Sequence, residues 1–125
     1  EPEAWASVSA FAPIANPRIA PWGQKAFAAY FNDPEEEGKQ YDATELMLAN
    51  SSAPFPSVPI LVDTGSGDDF MESQLGAGIQ SFSHACSERD QPAVIRTQPH
   101  YDHSYHFIAT FIDDHVGHAA RAMAG

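Results

Sequence analysis

The chain has 125 residues, one cysteine and a formal net charge of −11, from 17 acidic and 6 basic residues with His counted neutral. Hydrophobic residues make up 43% and include eight Phe, four Tyr and two Trp, enough for one domain with a moderate core and too many for a disordered chain. The acidic balance repels nucleic acid and anionic membranes, and a lone Cys86 allows no internal disulfide, which suits a reducing compartment.

The acidic start, Glu1-Pro2-Glu3-Ala4-Trp5, has no apolar segment of the kind a signal peptide needs. No apolar run approaches the ~20 residues of a membrane span. With no Met at position 1, the chain reads as processed or as lacking something upstream. Residues 6–14, ASVSAFAPI, mix small, β-branched and aromatic residues up to Pro13 and predict a strand. Residues 15–24, ANPRIAPWGQ, read as loop, and Lys25 to Phe31 as one or two helical turns. Asp33-Pro34 followed by Glu35-Glu36-Glu37 reads as a solvated helix start.

In YDATELMLANSS, 41–52, Asp42 is a plausible N-cap with Glu45 at capping-box spacing, opening a short helix. A Pro-rich linker follows. PILVDTG, 59–65, is an apolar run ended by turn residues, the mark of a strand buried on both faces. Phe70 to Glu88 predicts a helix, with Met71, Leu75, Ile79, Phe82 and Cys86 in one stripe that Gly76 and Gly78 weaken. PAVIRTQP, 92–99, predicts a third strand. A final helix spans about 104–123, with Phe107, Phe111, His115 and His118 on one face. Strands alternating with helices point to an α/β fold with a parallel sheet and right-handed crossovers.

Three constellations could carry chemistry. Apolar residues followed by Asp63-Thr64-Gly65 match the active-site turn of aspartic proteases, but the residues beyond read as helix, strand, helix instead of β hairpins and a flap. On that ground Asp63 reads as a structural strand-end residue. His100, Asp102, His103 and His106, with Asp113, Asp114, His115 and His118, offer ligand types suited to Zn or Fe, in a loose pattern. The plain alternative for His115 and His118 is partly exposed positions near a helix C-terminus, where the dipole favours His⁺. Third, Asp68 follows one predicted strand and His103 the next, at the carboxyl ends where parallel sheets gather catalytic groups. One crossover apart, the carboxylate could hold an imidazole tautomer while the other ring nitrogen activates a nucleophile. Spacing alone leaves open that both are ordinary loop residues.

SVSAFAPIANP, PWGQKAF, YDATELM, ILVDTGSGDDF and QPHYDHSYHFIATFIDDH resemble the S-formylglutathione hydrolase family in content, order and spacing, from about Ser7 to about His118. The resemblance implies a cytoplasmic α/β-hydrolase serine esterase that releases formate from S-formylglutathione in formaldehyde detoxification, homodimeric and with no metal or cofactor. It implies Asp68 and His103 as triad members, Asp63 as non-catalytic and Trp22 as a residue near the acyl pocket. Its nucleophile belongs to a G-x-S-x-G elbow, and none occurs in the 125 residues. The implied architecture is therefore the C-terminal half of an α/β-hydrolase domain spanning 1–125, inactive in isolation, and needing a missing N-terminal half or a second copy to cover its sheet. Gly38, Gly76 and His100 depart from residues usual in the family and suggest a diverged copy. The alternatives are a remnant that binds thiols or esters without turnover, and a metal protein using His100, Asp102, His103 and His106.

Overall fold

Three parallel strands, β1 (Ser9–Phe11), β2 (Ile60–Gly65) and β3 (Ala93–Gln98), lie side by side in that order in the computed structural model, which describes residues 4–124. Glu1 to Glu3 of the acidic start, and Gly125, lie outside the described residues. β2 is the central strand and all its residues are buried, as its unbroken apolar run anticipates. Helices α1 (Pro21–Tyr30), α2 (Pro34–Glu37) and α3 (Ala43–Ala49) join β1 to β2. Helix α4 (Gly76–Glu88) joins β2 to β3, and α5 (Tyr105–Ala124) follows β3. No helix among the described residues is long and apolar enough to cross a membrane.

The register sets Phe11 and Arg96 on either side of Asp63, Val94 beside Leu61 and Gln98 beside Gly65. Alternate residues of a strand point to opposite faces. Ile60 and Val62 therefore join Met47 of α3 and Phe82, Ala85 and Cys86 of α4 in the apolar core. Burial pushes the Cys86 thiol up to about 11, so it stays protonated and unreactive at neutral pH. Leu61 and Asp63 face α5, whose Phe107, His115 and His118 are buried against that side. This overturns the expectation of partly exposed histidines: His115 and His118 are only 5% and 7% exposed. The helical stripe was the correct signal, and the dipole argument was not.

Other boundaries shift for local reasons. The first strand, expected over 6–14, keeps only three residues, because Ala12 turns left-handed at φ 43° just before Pro13. α1 begins at Pro21, inside the expected loop, since Pro is well suited to the first helical position. Asp42 caps α3 by accepting from the Thr44 and Glu45 amides at 2.9 and 3.2 Å. Glu45 does not complete a capping box; it accepts from Arg18 at 2.6 Å. The helix expected over 70–88 opens as a π turn, Met71–Leu75, before α4 begins at Gly76. Gly78 lets α4 press on the 15–16 loop, where a Cβ would meet the Asn16 nitrogen at 3.1 Å.

Candidate active site

The loops that leave β2 and β3 are laced together. The Ser66 amide donates to the Gln98 carbonyl and the Gly67 amide to the Tyr101 carbonyl, both at 2.9 Å. The His100 amide donates to Ser66 Oγ at 2.8 Å. Gly65 permits this approach, since a Cβ there would stand 2.0 Å from the Tyr101 carbonyl oxygen. His100 has a left-handed φ of 67°, a conformation that favours glycine, so its appearance there is a departure at a backbone position where glycine is the easier residue.

The lacing brings Asp68 and His103 together. Asp68 Oδ1 accepts from the Phe70 amide at 2.8 Å, and Oδ2 pairs with His103 Nδ1 at 2.7 Å. A carboxylate only accepts, so Nδ1 is the donor and Nε2 carries the lone pair of the neutral ring. The Asp68 side chain is fully buried while that of His103 is 44% exposed. His103 borders an open cleft of about 370 Å³ with Phe11, Ala12, Phe107 and Ile108. Nε2 has no partner among the described residues. The arrangement is a buried carboxylate orienting a half-exposed base, able to take a proton from a group brought into the cleft.

Trp22 lies beyond Phe70, outside the lining of that cleft. Its ring packs on Phe70 with centroids 4.7 Å apart, and its amide donates to Gln74 Oε1 at 2.9 Å. The residues His100, Asp102, His103 and His106 do not converge. His103 Nδ1 is committed to Asp68, Asp102 accepts from the Ser104 hydroxyl, and His106 stacks on Tyr101. Among the described residues no three His, Cys, Asp or Glu side chains are placed to hold a metal ion. The metal alternative has no geometric support.

A second polar cluster went unread in the sequence. Asp63 Oδ1 accepts from Arg96 Nε and Gln98 Nε2, each at 2.8 Å, while Oδ2 accepts from Arg96 Nη2 and, at 2.9 Å, from His115 Nε2. Arg96 Nη1 also reaches Asp114 at 2.9 Å. Burial alone would raise the Asp63 pKa, but the bonds from Arg96, Gln98 and His115 outweigh it and hold the carboxyl below its usual range. The bond to Asp63 raises the pKa of Arg96 in turn. The available signal was a carboxylate inside a strand buried on both faces, which demands partners.

The sequence profile of the Esterase family matches residues 1–118. An S-formylglutathione hydrolase of Rattus norvegicus is 47% identical over 98% of this chain and 42% of its own length. One of Arabidopsis thaliana is 46% identical over 94% of this chain and 39% of its own. A solved S-formylglutathione hydrolase from Agrobacterium tumefaciens superposes with a TM-score of 0.86 at 37% identity, covering 98% of this chain and 42% of that one. The chain thus spans about two-fifths of the length of these relatives. Its parallel three-stranded sheet with flanking helices is part of an α/β-hydrolase fold.

Proposed function

Because the chain belongs to the Esterase family, we propose that it is the aspartate- and histidine-bearing part of an S-formylglutathione hydrolase, a cytoplasmic serine esterase of formaldehyde detoxification. What carries the reading is the 2.7 Å contact between buried Asp68 and half-exposed His103 at the carboxyl ends of adjacent parallel strands. The relatives, S-formylglutathione hydrolases, supply the substrate: a formyl thioester of glutathione. The nucleophilic serine and its oxyanion hole lie outside these 125 residues, which contain no G-x-S-x-G.

In the assembled site, the serine oxygen attacks the formyl carbon while His103 Nε2 takes its proton. The carbon–sulfur bond breaks, glutathione leaves with that proton, and a formyl-serine remains. Water then attacks the ester, again giving a proton to His103, which returns it to the serine as formate departs. Asp68 holds Nδ1–H throughout and stabilises the imidazolium. Trp22 serves this site at one remove, through Phe70. The outer edge of β1, with the exposed side chains of Trp5, Val8 and Leu46 nearby, takes further polypeptide of the same fold or a second copy.

The test is to read the coding sequence upstream of Glu1 and to assay both the 125-residue chain and the continued product on S-formylglutathione. We expect an in-frame G-x-S-x-G, hydrolysis by the longer product, and none above buffer by the short chain. An upstream reading frame without the elbow, or hydrolysis by the short chain that His103→Ala abolishes, would contradict this division of the site.

A further inference from the structure

We propose that Phe70 is the positioning residue that fixes the plane of the His103 imidazole, and that Trp22 acts by bracing Phe70. The proposal rests on the reading of His103 as the base.

A single hydrogen bond from Nδ1 to Asp68 sets where one ring nitrogen lies but leaves the ring free to pivot about that axis. With its side chain 44% exposed, His103 has solvent around much of its ring. A second contact off the axis is needed to aim Nε2, and Phe70 supplies it. Its ring stands perpendicular to the imidazole, at 88°, with centroids 5.3 Å apart, an arrangement aromatic pairs favour. The same residue donates its amide to Asp68 Oδ1 at 2.8 Å. One residue thus holds the free oxygen of the carboxylate by its backbone and the ring by its side chain.

Phe70 is itself held at both ends. Its carbonyl accepts from the Gln74 and Leu75 amides at 2.9 and 3.2 Å, where the π turn begins. Its ring is packed by Trp22 from α1, which is tied by its amide to Gln74 on that turn. This gives the π turn a purpose, consistent with the tendency of such turns to occur at functional sites. It also gives Trp22, 47% exposed and outside the lining of the cleft, a role through Phe70.

The experiment is NMR of the 125-residue chain, measuring ¹³C relaxation of the His103 ring C–H groups together with the ring tautomer in the parent, Phe70→Leu, Phe70→Ala and Trp22→Leu. The folded parent should show one Nδ1–H tautomer and a ring as ordered as the β2 and β3 backbone. Phe70→Leu keeps the amide and the apolar bulk but lacks the flat ring. It should keep the tautomer, which the bond to Asp68 sets, and lose ring order, with the β2 and β3 amides and the His115 ring unmoved. Phe70→Ala should do the same, and Trp22→Leu should do so partially. If Phe70→Ala does not fold, Phe70→Leu decides. A His103 ring as ordered in a folded Phe70→Leu chain as in the parent overturns the role of Phe70 and leaves the reading of His103 standing. An averaged tautomer in the folded parent overturns both.

Discussion

Two aspartates five residues apart, one on β2 and one on the loop that leaves it, each pair with a histidine, and the two pairs are built for opposite ends. In the Asp63–His115 pair both side chains are almost wholly buried, at 0% and 4% exposure. His115 Nε2 meets the carboxylate, the ring stacks on Phe11 at 3.8 Å, and Nδ1 is sealed without a partner. A proton on that nitrogen would have no acceptor, so the pair has no route for passing one on. In the Asp68–His103 pair only the carboxylate is buried, and the half-exposed imidazole borders a cleft. The chemistry of the two contacts is nearly the same. What separates a structural pair from a candidate acid–base pair is where the second nitrogen goes.

The strongest way to break this distinction is to neutralise each carboxylate in turn in a protein that turns over substrate. Asp68→Asn should lower hydrolysis by about 10⁴-fold, since the amide favours the wrong tautomer, with a small change in melting temperature. Asp63→Asn should leave turnover per folded molecule intact but cost about 3 kcal/mol of stability, because Arg96, in a one-third-exposed site, loses its buried anion and keeps only the exposed Asp114. Chemical denaturation alongside rate measurements separates the two effects.

Acid sharpens the same comparison. The folded Asp63 carboxyl binds its proton less tightly than the unfolded one, so its contribution is present above the unfolded value, about 4, and is lost as pH falls through the folded one. The stability gap between the parent chain and Asp63→Asn should therefore narrow on acidification below about pH 4. An unchanged gap down to pH 2 would mean the network does not favour the ionised form. Asp42 gives the smallest effect and serves as a control, being a buried carboxylate with no histidine. It caps α3 and accepts from the Arg18 amide at 3.0 Å. Asp42→Ala should cost about 1 to 2 kcal/mol in denaturation and leave hydrolysis unaltered.

The strand and helix order was legible because each segment carries its own periodicity: the apolar run of β2, the stripe of α4, the turn residues between them. The pairing of Asp68 with His103 was legible from topology, since each follows a parallel strand at its carboxyl end. The Asp63 network was not. Its partners lie 33 to 52 residues away, and the register of three strands with the rotation of α5 brings them to one point. The stripe puts His115 and His118 on the inward face of α5, but their polarity argues for exposure, and the position decides: both are buried. Trp22 is singled out only by the family resemblance, and its contact with Phe70 depends on how α1 meets the π turn, which no local pattern encodes.

The most direct test of the account is the hydrolysis of S-formylglutathione by His103→Ala and His115→Ala forms of the upstream-continued protein, each rate divided by the folded fraction. The account predicts near-background turnover for His103→Ala and parent-like turnover for the folded His115→Ala molecules, with the loss in the latter confined to stability. Comparable turnover in both, or a rate that falls only with His115→Ala, would contradict it.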